Sequence, residues 1–178
     1  MVYNFPFEKA DFFIKDKEIE PAESNYHWLI SADKIFSSNI KDFTEFSRFF
    51  GMEFGIRRSS IYNEGKHSDS YVCGEEVKIY ISPGRHCAIL QSRLADKTPI
   101  KKIIVKKVAG LNQEITVLEE KEYQNCSIQS FERKGETVAF TFRYTAFSDL
   151  YTDFKKDGTK LGTSATSIDL VTWKVQEK

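Results

Sequence analysis

Three histidines and three cysteines are the residues best suited to metal binding or nucleophilic attack in this chain: His27, His67, His86, Cys73, Cys87 and Cys126. They show no Cys-x-x-Cys or His-x-x-x-His spacing, so no metal site is expected. His86 and Cys87 are adjacent, and neighbours on a helix point roughly 100° apart, which keeps them from ligating one ion. His67-Ser68-Asp69 contains the three residue types of a hydrolytic triad, but three consecutive side chains do not converge as a triad must. Asp153-Phe154-Lys155-Lys156-Asp157-Gly158 has the outline of a calcium loop, with Lys155 at the third ligand position and Ser164 where a bidentate Glu belongs. A β-turn with Gly158 at positive φ is the better expectation. No glycine-rich phosphate loop occurs, and Glu75-Glu76 and Glu119-Glu120 are adjacent pairs whose members face opposite sides of a strand. They read as solvated charges rather than as a catalytic pair.

Two further groups carry weaker signals. Lys101, Lys102, Lys106 and Lys107 bracket Ile103-Ile104-Val105, and Arg57-Arg58 precede Tyr62 and Tyr71, a basic and aromatic mix that nucleic-acid surfaces use. Lysines also flank apolar strands as guards against edge pairing. With 26 basic and 26 acidic side chains the net charge is zero, which favours the second reading, and no nucleic-acid partner is expected. Phe43, Phe46, Phe49, Phe50 and Phe54 form an aromatic cluster that suits a core or a surface reserved for another subunit.

The chain has 178 residues with 40% hydrophobic and 14% aromatic content, which predicts one core-forming domain over residues 1–178. No stretch nears the roughly 18 to 20 apolar residues of a membrane span, so no membrane insertion is expected. Residues 1–13 carry Glu8, Lys9 and Asp11 within a broken aromatic run, unlike a secretory leader. Three separated cysteines suit reduced thiols in a cytoplasm. The Asn125-Cys126-Ser127 sequon is discounted for want of a secretory route.

Alternation in 137–147 sets Val138, Phe140, Phe142, Tyr144 and Ala146 on one face of a half-buried strand, and 167–175 alternates similarly. These two runs are candidates for pairing. Segments 101–108, 114–118 and 123–131 also read as strands, with the charged Glu119–Glu122 stretch separating the last two. One helix is signposted: Ser82 as cap, Pro83 at its first position, Cys87, Leu90 and Leu94 on one stripe, and Thr98-Pro99 as the stop. Upstream, 12–19, 26–36 and 75–81 read as strands. Phe43, Phe46 and Phe50 have helical spacing, with Gly51 as a terminator, and the polar, aperiodic 59–70 reads as an ordered arm or loop. The fold class is mostly β (α+β): an antiparallel β-barrel or sandwich with one central helix and an extended loop or arm.

The order of these elements resembles the haemolysin-coregulated protein (Hcp) family, the tube subunits of the bacterial type VI secretion system. The likeness covers about residues 77 to 175. Val77-Lys78-Ile79-Tyr80-Ile81-Ser82-Pro83 running into Ala88-Ile89-Leu90-Gln91-Ser92 is similar to the family's strand and Ser-Pro-capped helix. The alternating 100–110 with 114–118 resembles the strand pair that follows, and Cys126-Ser127-Ile128-Gln129-Ser130 the next strand. Val138–Tyr144, then Tyr151, the loop Asp157–Gly162 and Ile168-Asp169-Leu170 are similar to the family's long aromatic strand, glycine-containing loop and last strand. His27-Trp28-Leu29-Ile30 looks like its early His/Trp strand. Departures lie upstream, where Glu20-Pro21-Ala22-Glu23-Ser24 and the phenylalanine-rich 43–54 replace an early Gly-Glu-Ser segment and a glycine-rich loop.

The resemblance implies hexameric rings that stack into a tube and leave the bacterial cytoplasm with effectors and other secretion components, without a cleaved signal peptide. It transfers no catalytic residue and no cofactor. The arm from about 37 to 70, including Ile56, Arg57, Arg58 and Tyr62, is expected to meet a neighbouring subunit, on the ground of its length and aperiodicity. The competing expectation is a small-ligand-binding β-barrel without catalytic activity, and a third, an enzyme, lacks any readable acid, base or nucleophile.

Overall fold

The computed structural model describes residues 26–38, 40, 42–63, 66–111, 114–155, 159–172 and 174–177. The strand expected over 12–19 and the turn at Gly158 lie outside them. The described elements are β1 (Tyr26–Ala32), β2 (Ser47–Phe49), β3 (Gly51–Glu53), β4 (Ile56–Asn63), β5 (Lys66–Gly74), β6 (Val77–Ile81), α1 (His86–Asp96), β7 (Ile100–Leu111), β8 (Glu114–Lys134), β9 (Thr137–Arg143), β10 (Ala146–Phe154), β11 (Lys160–Asp169) and β12 (Lys174–Glu177). The architecture is mostly antiparallel β with a single helix among the described residues.

β8 organises everything else. Its first half pairs with β7 on one side and β10 on the other, and its second half pairs with β9. One ladder runs β12-β11-β10-β8-β7-β1-β2, and a second runs from β8 through β9 and β6 to β3. The change of partners falls at Asn125, whose φ is 50°. Asn tolerates the left-handed region better than other non-glycine residues. Its side-chain amide donates to Thr145 Oγ1 at 3.1 Å, and the Thr145 N–H donates to the Gln124 carbonyl at 3.0 Å, fixing the bend. The discounted sequon thus contains the corner of the fold.

The ladders do not close into a ring. β2 pairs with β1 and β3 with β6, and the chain itself crosses the gap at Phe50, whose N–H donates to the Tyr80 carbonyl at 3.0 Å. The barrel expectation is therefore corrected to an open sheet folded over its own core. Inside the fold lie Ile30, Val77, Ile79, Ile103, Val105, Tyr123, Val138, Phe140 and Phe142, with Leu90 of α1 packed on the same cluster. Cys87 and Leu94 are partly buried against it, as their stripe predicts.

Several boundaries differ from the expectations. α1 begins at His86 with Arg85 at its N-cap and no side-chain cap, so Ser82 and Pro83 only lead into it. Its end is as expected in place, with Lys97 in the left-handed region one residue before Thr98-Pro99. Phe43, Phe46 and Phe50 do not lie on a helix: 42–45 form turns, and Gly51 opens β3 instead of ending a helix. β8 runs unbroken through Glu119–Glu122, because Glu120 and Glu122 pair with Lys106 (3.0 Å) and Lys102 (3.2 Å) across the ladder. Those lysines sit on β7, an interior strand between β1 and β8, so guarding a sheet edge is not their role. The run 137–147 breaks at Tyr144-Thr145, and the run 167–175 breaks at 170–172, where Asp169 Oδ1 accepts the Val171 and Thr172 N–H groups at 2.8 and 2.9 Å. Of the two strands in the 137–147 run, β10 meets β11, while β9 pairs with β8 and β6. Of the arm expected over about 37 to 70, β2 and β3 belong to the main sheet, and the projecting part is a two-stranded hairpin, β4–β5, whose ladder is separate from it. No helix among the described residues is long and apolar enough to cross a membrane.

Phe140 and Phe50 separate core from surface within the aromatic set, being 0% and 52% exposed. Phe140→Ala is expected to destabilise the chain by about 3–5 kcal/mol and Phe50→Ala by less than about 1 kcal/mol in urea titrations.

Candidate functional site: the root of the hairpin arm

The arm leaves the body through Phe54-Gly55 and returns through Gly74-Glu75, and both junctions are tightly packed. The Glu75 N–H donates to the Gly55 carbonyl at 3.0 Å, closing the root. A Cβ on Gly74 would come within 2.6 Å of both Tyr144 Oη and Leu170 Cδ1, so glycine is needed for the close approach. The Phe54 ring then packs on Tyr123 (5.8 Å), Phe147 (5.5 Å) and Tyr144 (6.4 Å between centroids). These contacts connect the arm directly to the aromatic core.

Beneath Phe54 lies an internal ion cluster. Lys121 is 5% exposed, and its ammonium contacts Glu119 at 2.8 Å, Asp149 at 3.0 Å and Tyr151 Oη at 2.9 Å, with the Phe54 and Tyr151 rings 5.5 and 5.0 Å away. Strand register accounts for the convergence. Glu119, Lys121 and Tyr123 share one face of β8, Asp149 lies opposite Lys121 on β10, and Tyr151 lies opposite Glu119. Burial pushes the Lys121 pKa down, but the hydrogen bonds to Glu119 and Tyr151 and the charges of Asp149 and Glu119 outweigh it and hold the ammonium above its ordinary range. Asp149 moves the other way: burial raises its pKa, with the Glu119 charge adding to that, despite the opposing pull of Lys121. One cation shared by two carboxylates is therefore firmly charged, while the carboxylates compete for it.

The chemistry available here is structural. Burial pushes the Tyr123 and Tyr144 hydroxyls well above their ordinary range, and the Cys126 thiol up to about 12, so none is a nucleophile near neutral pH. His67-Ser68-Asp69 falls on β5, and Asp153 and Phe154 end β10 as strand residues. The interior expected to hold a ligand is instead filled by Tyr123, Phe140 and Phe142, with ring centroids 5.3 to 6.4 Å apart. Ile56 is exposed at the arm root, and Arg57, Arg58 and Tyr62 lie on β4 opposite Cys73, Val72 and His67. The four residues expected at a subunit contact thus share one strand of the arm. Sequence reading missed Lys121, Asp149 and Tyr151; carrying the Tyr123 phase back by twos would have placed Lys121 and Glu119 on the inner face.

The folded-over antiparallel sheet with its helix and projecting hairpin defines the class: the chain has the fold of Hcp proteins of the type VI secretion system. It superposes on a structure described as a type six secretion system protein with a TM-score of 0.74 at 12% identity, covering 85% of this chain and 99% of that one. Hcp1 from Salmonella typhimurium matches at 0.68 and 14% identity with the same coverage, and a mutant form of Hcp1 from the E. coli pathovar EAEC 042 at 0.63 and 11%, covering 83% and 99%. No protein-family model matches the chain, and no curated protein sequence matches it significantly.

Lys121→Ala would leave Glu119 and Asp149 facing each other in the interior, at an expected cost of about 3 kcal/mol near pH 7. Asp149, whose carboxyl pKa burial already raises, would bind a proton more readily than in the unfolded chain once its cation is gone, so the deficit should shrink as pH falls toward 4. Denaturation of both proteins across that range checks the sign.

Proposed function

We propose that this chain is a structural subunit of a type VI secretion tube: one domain over residues 1–178 that assembles into hexameric rings, which stack and are expelled with effectors. The observation that carries the reading is the fold match, which takes in nearly the whole length of the Hcp structures. The filled interior supports it over a ligand-binding barrel, because the side chains that would enclose a pocket occupy it themselves. A subunit of this kind acts through self-complementary surfaces, and heterologous contacts that close generate rings. On this reading the protein is made in a bacterial cytoplasm and exported without a cleaved signal peptide, and it needs neither cofactor nor catalytic group.

The arm is the proposed contact with an adjacent or stacked subunit, through Ile56, Arg57, Arg58 and Tyr62. Its root is rigidly fixed by Phe54, Gly74 and the Lys121 cluster, while its ladder lies outside the main sheet. A rigid root limits the entropy lost when such an element docks.

Light scattering after size exclusion, with negative-stain imaging of the same peak, is expected to give rings with a mass near six times 20.6 kDa. A monomer at all concentrations, without rings, would overturn the tube reading. Arg57→Glu combined with Tyr62→Ala should abolish or weaken ring or stack formation at least tenfold while leaving the thermal midpoint nearly unchanged; unaltered assembly removes the arm from the interface.

A further inference from the structure

The two carboxylates around Lys121 are not equally served. Glu119 and Asp149 share a single ammonium, at 2.8 and 3.0 Å, so the group carries one negative charge more than its cation balances. Both acids are largely withdrawn from water, with 15% and 13% of their side-chain surface exposed. Asp149 Oδ1 is buried outright, and although the ammonium lies close, it has no directed hydrogen bond among the described residues. The Tyr123 and Tyr144 hydroxyls are buried and unpartnered in the same way, and both stand near enough to Asp149 to feel its charge. A carboxylate that is neither solvated nor fully hydrogen-bonded, beside a second carboxylate, binds a proton more readily than one in water.

The neighbouring elements supply no second cation to this pair among the described residues. On β7, Val105 lies opposite Lys121, and Lys107, opposite Glu119, has its ammonium over the Tyr26 and Trp28 rings at 4.3 and 5.6 Å and makes no ion pair with Glu119. On β11, Thr166 lies opposite Asp149 and Ser164 opposite Tyr151. Tyr151 serves Lys121 through its hydroxyl at 2.9 Å. The arm root adds Glu75, a further negative charge beside Tyr144. Both ends of the arm rest on this cluster: Phe54 covers Lys121 with its ring 5.5 Å from the ammonium, and Gly74 fits against Tyr144 Oη. Lifting Phe54 therefore admits water to Asp149 and relieves its desolvation.

We propose that the arm root is a proton-operated clasp: with a solvent proton on Asp149 the root stays closed, and without it Phe54 lifts and the root opens more often. The protonated carboxyl no longer competes with Glu119 for Lys121, and its O–H is a donor that an unpartnered phenol oxygen can accept. In the open root Asp149 meets water and titrates as an ordinary carboxyl, so closure and proton uptake favour each other. The proton's contribution to closure is complete below about pH 4, the ordinary range of an Asp side chain. It is lost as pH rises through the elevated pKa that Asp149 has in the closed root. Acid therefore tightens the root and neutral solution loosens it. The inference concerns the root alone and holds whether or not the arm meets another subunit.

Amide hydrogen exchange of the full chain, corrected for the intrinsic pH dependence of exchange, reads the opening. The Glu75 N–H, bonded to the Gly55 carbonyl, reports the root, and the Phe140 N–H, on a strand paired along both sides, reports the core. Between about pH 7 and about pH 5 the Glu75 opening is expected to fall about fivefold or more relative to that of Phe140. Asp149→Asn, which places an uncharged amide where the proton would make a neutral acid, should hold the Glu75 opening low at both values. A side-chain ¹³C titration of Asp149 should give a midpoint above the ordinary carboxylate range. A midpoint at or below that range, a Glu75 opening that is unchanged or greater in acid, or an unaltered pH dependence in Asp149→Asn overturns the proposal. If the variant does not fold, the wild-type titration and the Glu75 to Phe140 ratio decide it.

Discussion

A single strand that changes partners midway is the constraint on which the rest of this structure depends. β8 spans 21 residues, and β10 and then β9 lie along it in nearly continuous register, interrupted where Asn125 meets Thr145. The left-handed backbone at Asn125, tied to Thr145, lets the first half stay in the longer ladder while the second turns into the shorter one. The two ladders then face each other across Tyr123, Phe140 and Phe142, and the core forms between them without closure of the sheet. At the open side, among the described residues, the crossing from β2 to β3 at Phe50 joins the ladders.

The same strand places the buried ion cluster. Because side chains alternate, the phase that buries Tyr123 also drives Lys121 and Glu119 inward, where an unpaired charge would be costly. Asp149 and Tyr151 of β10 satisfy the ammonium, and Phe54 covers it. An otherwise unfavourable lysine thereby becomes the anchor of the hairpin that projects from the body. The arrangement favours one orientation at the arm root over several, which is the use for buried polar groups best supported by physical argument.

Together with the fold, these features place the polar and aromatic side chains of the interior in structural contacts with one another. Burial holds Tyr123, Tyr144 and Cys126 far from reactive protonation states, and the interior is occupied by the chain's own side chains.

Local pattern was enough to reveal much of the fold. Val138, Phe140 and Phe142 alternate because one face of β9 is buried, and Cys87, Leu90 and Leu94 mark the face that α1 lays on the sheet. The order of such elements carried the likeness to Hcp proteins even though identity to their structures is only 10–14% in the better superpositions. What local pattern missed were features created by distant partners. Glu119–Glu122 looked like a break until Lys102 and Lys106 neutralised its outer face and Asp149 joined Glu119 around Lys121 on its inner one. The phenylalanines of 43–54 have helical spacing, yet β1 and β6 draw the chain into strands by offering backbone partners on either side of Phe50. The arm has no apolar period because its two strands pair with each other outside the main sheet. The sequence by itself determined which segments alternate and which residues favour the interior, since those depend on neighbours along the chain; only the tertiary structure decided where β8 bends, which charges are buried and what packs at the arm root, since those depend on residues brought together from afar.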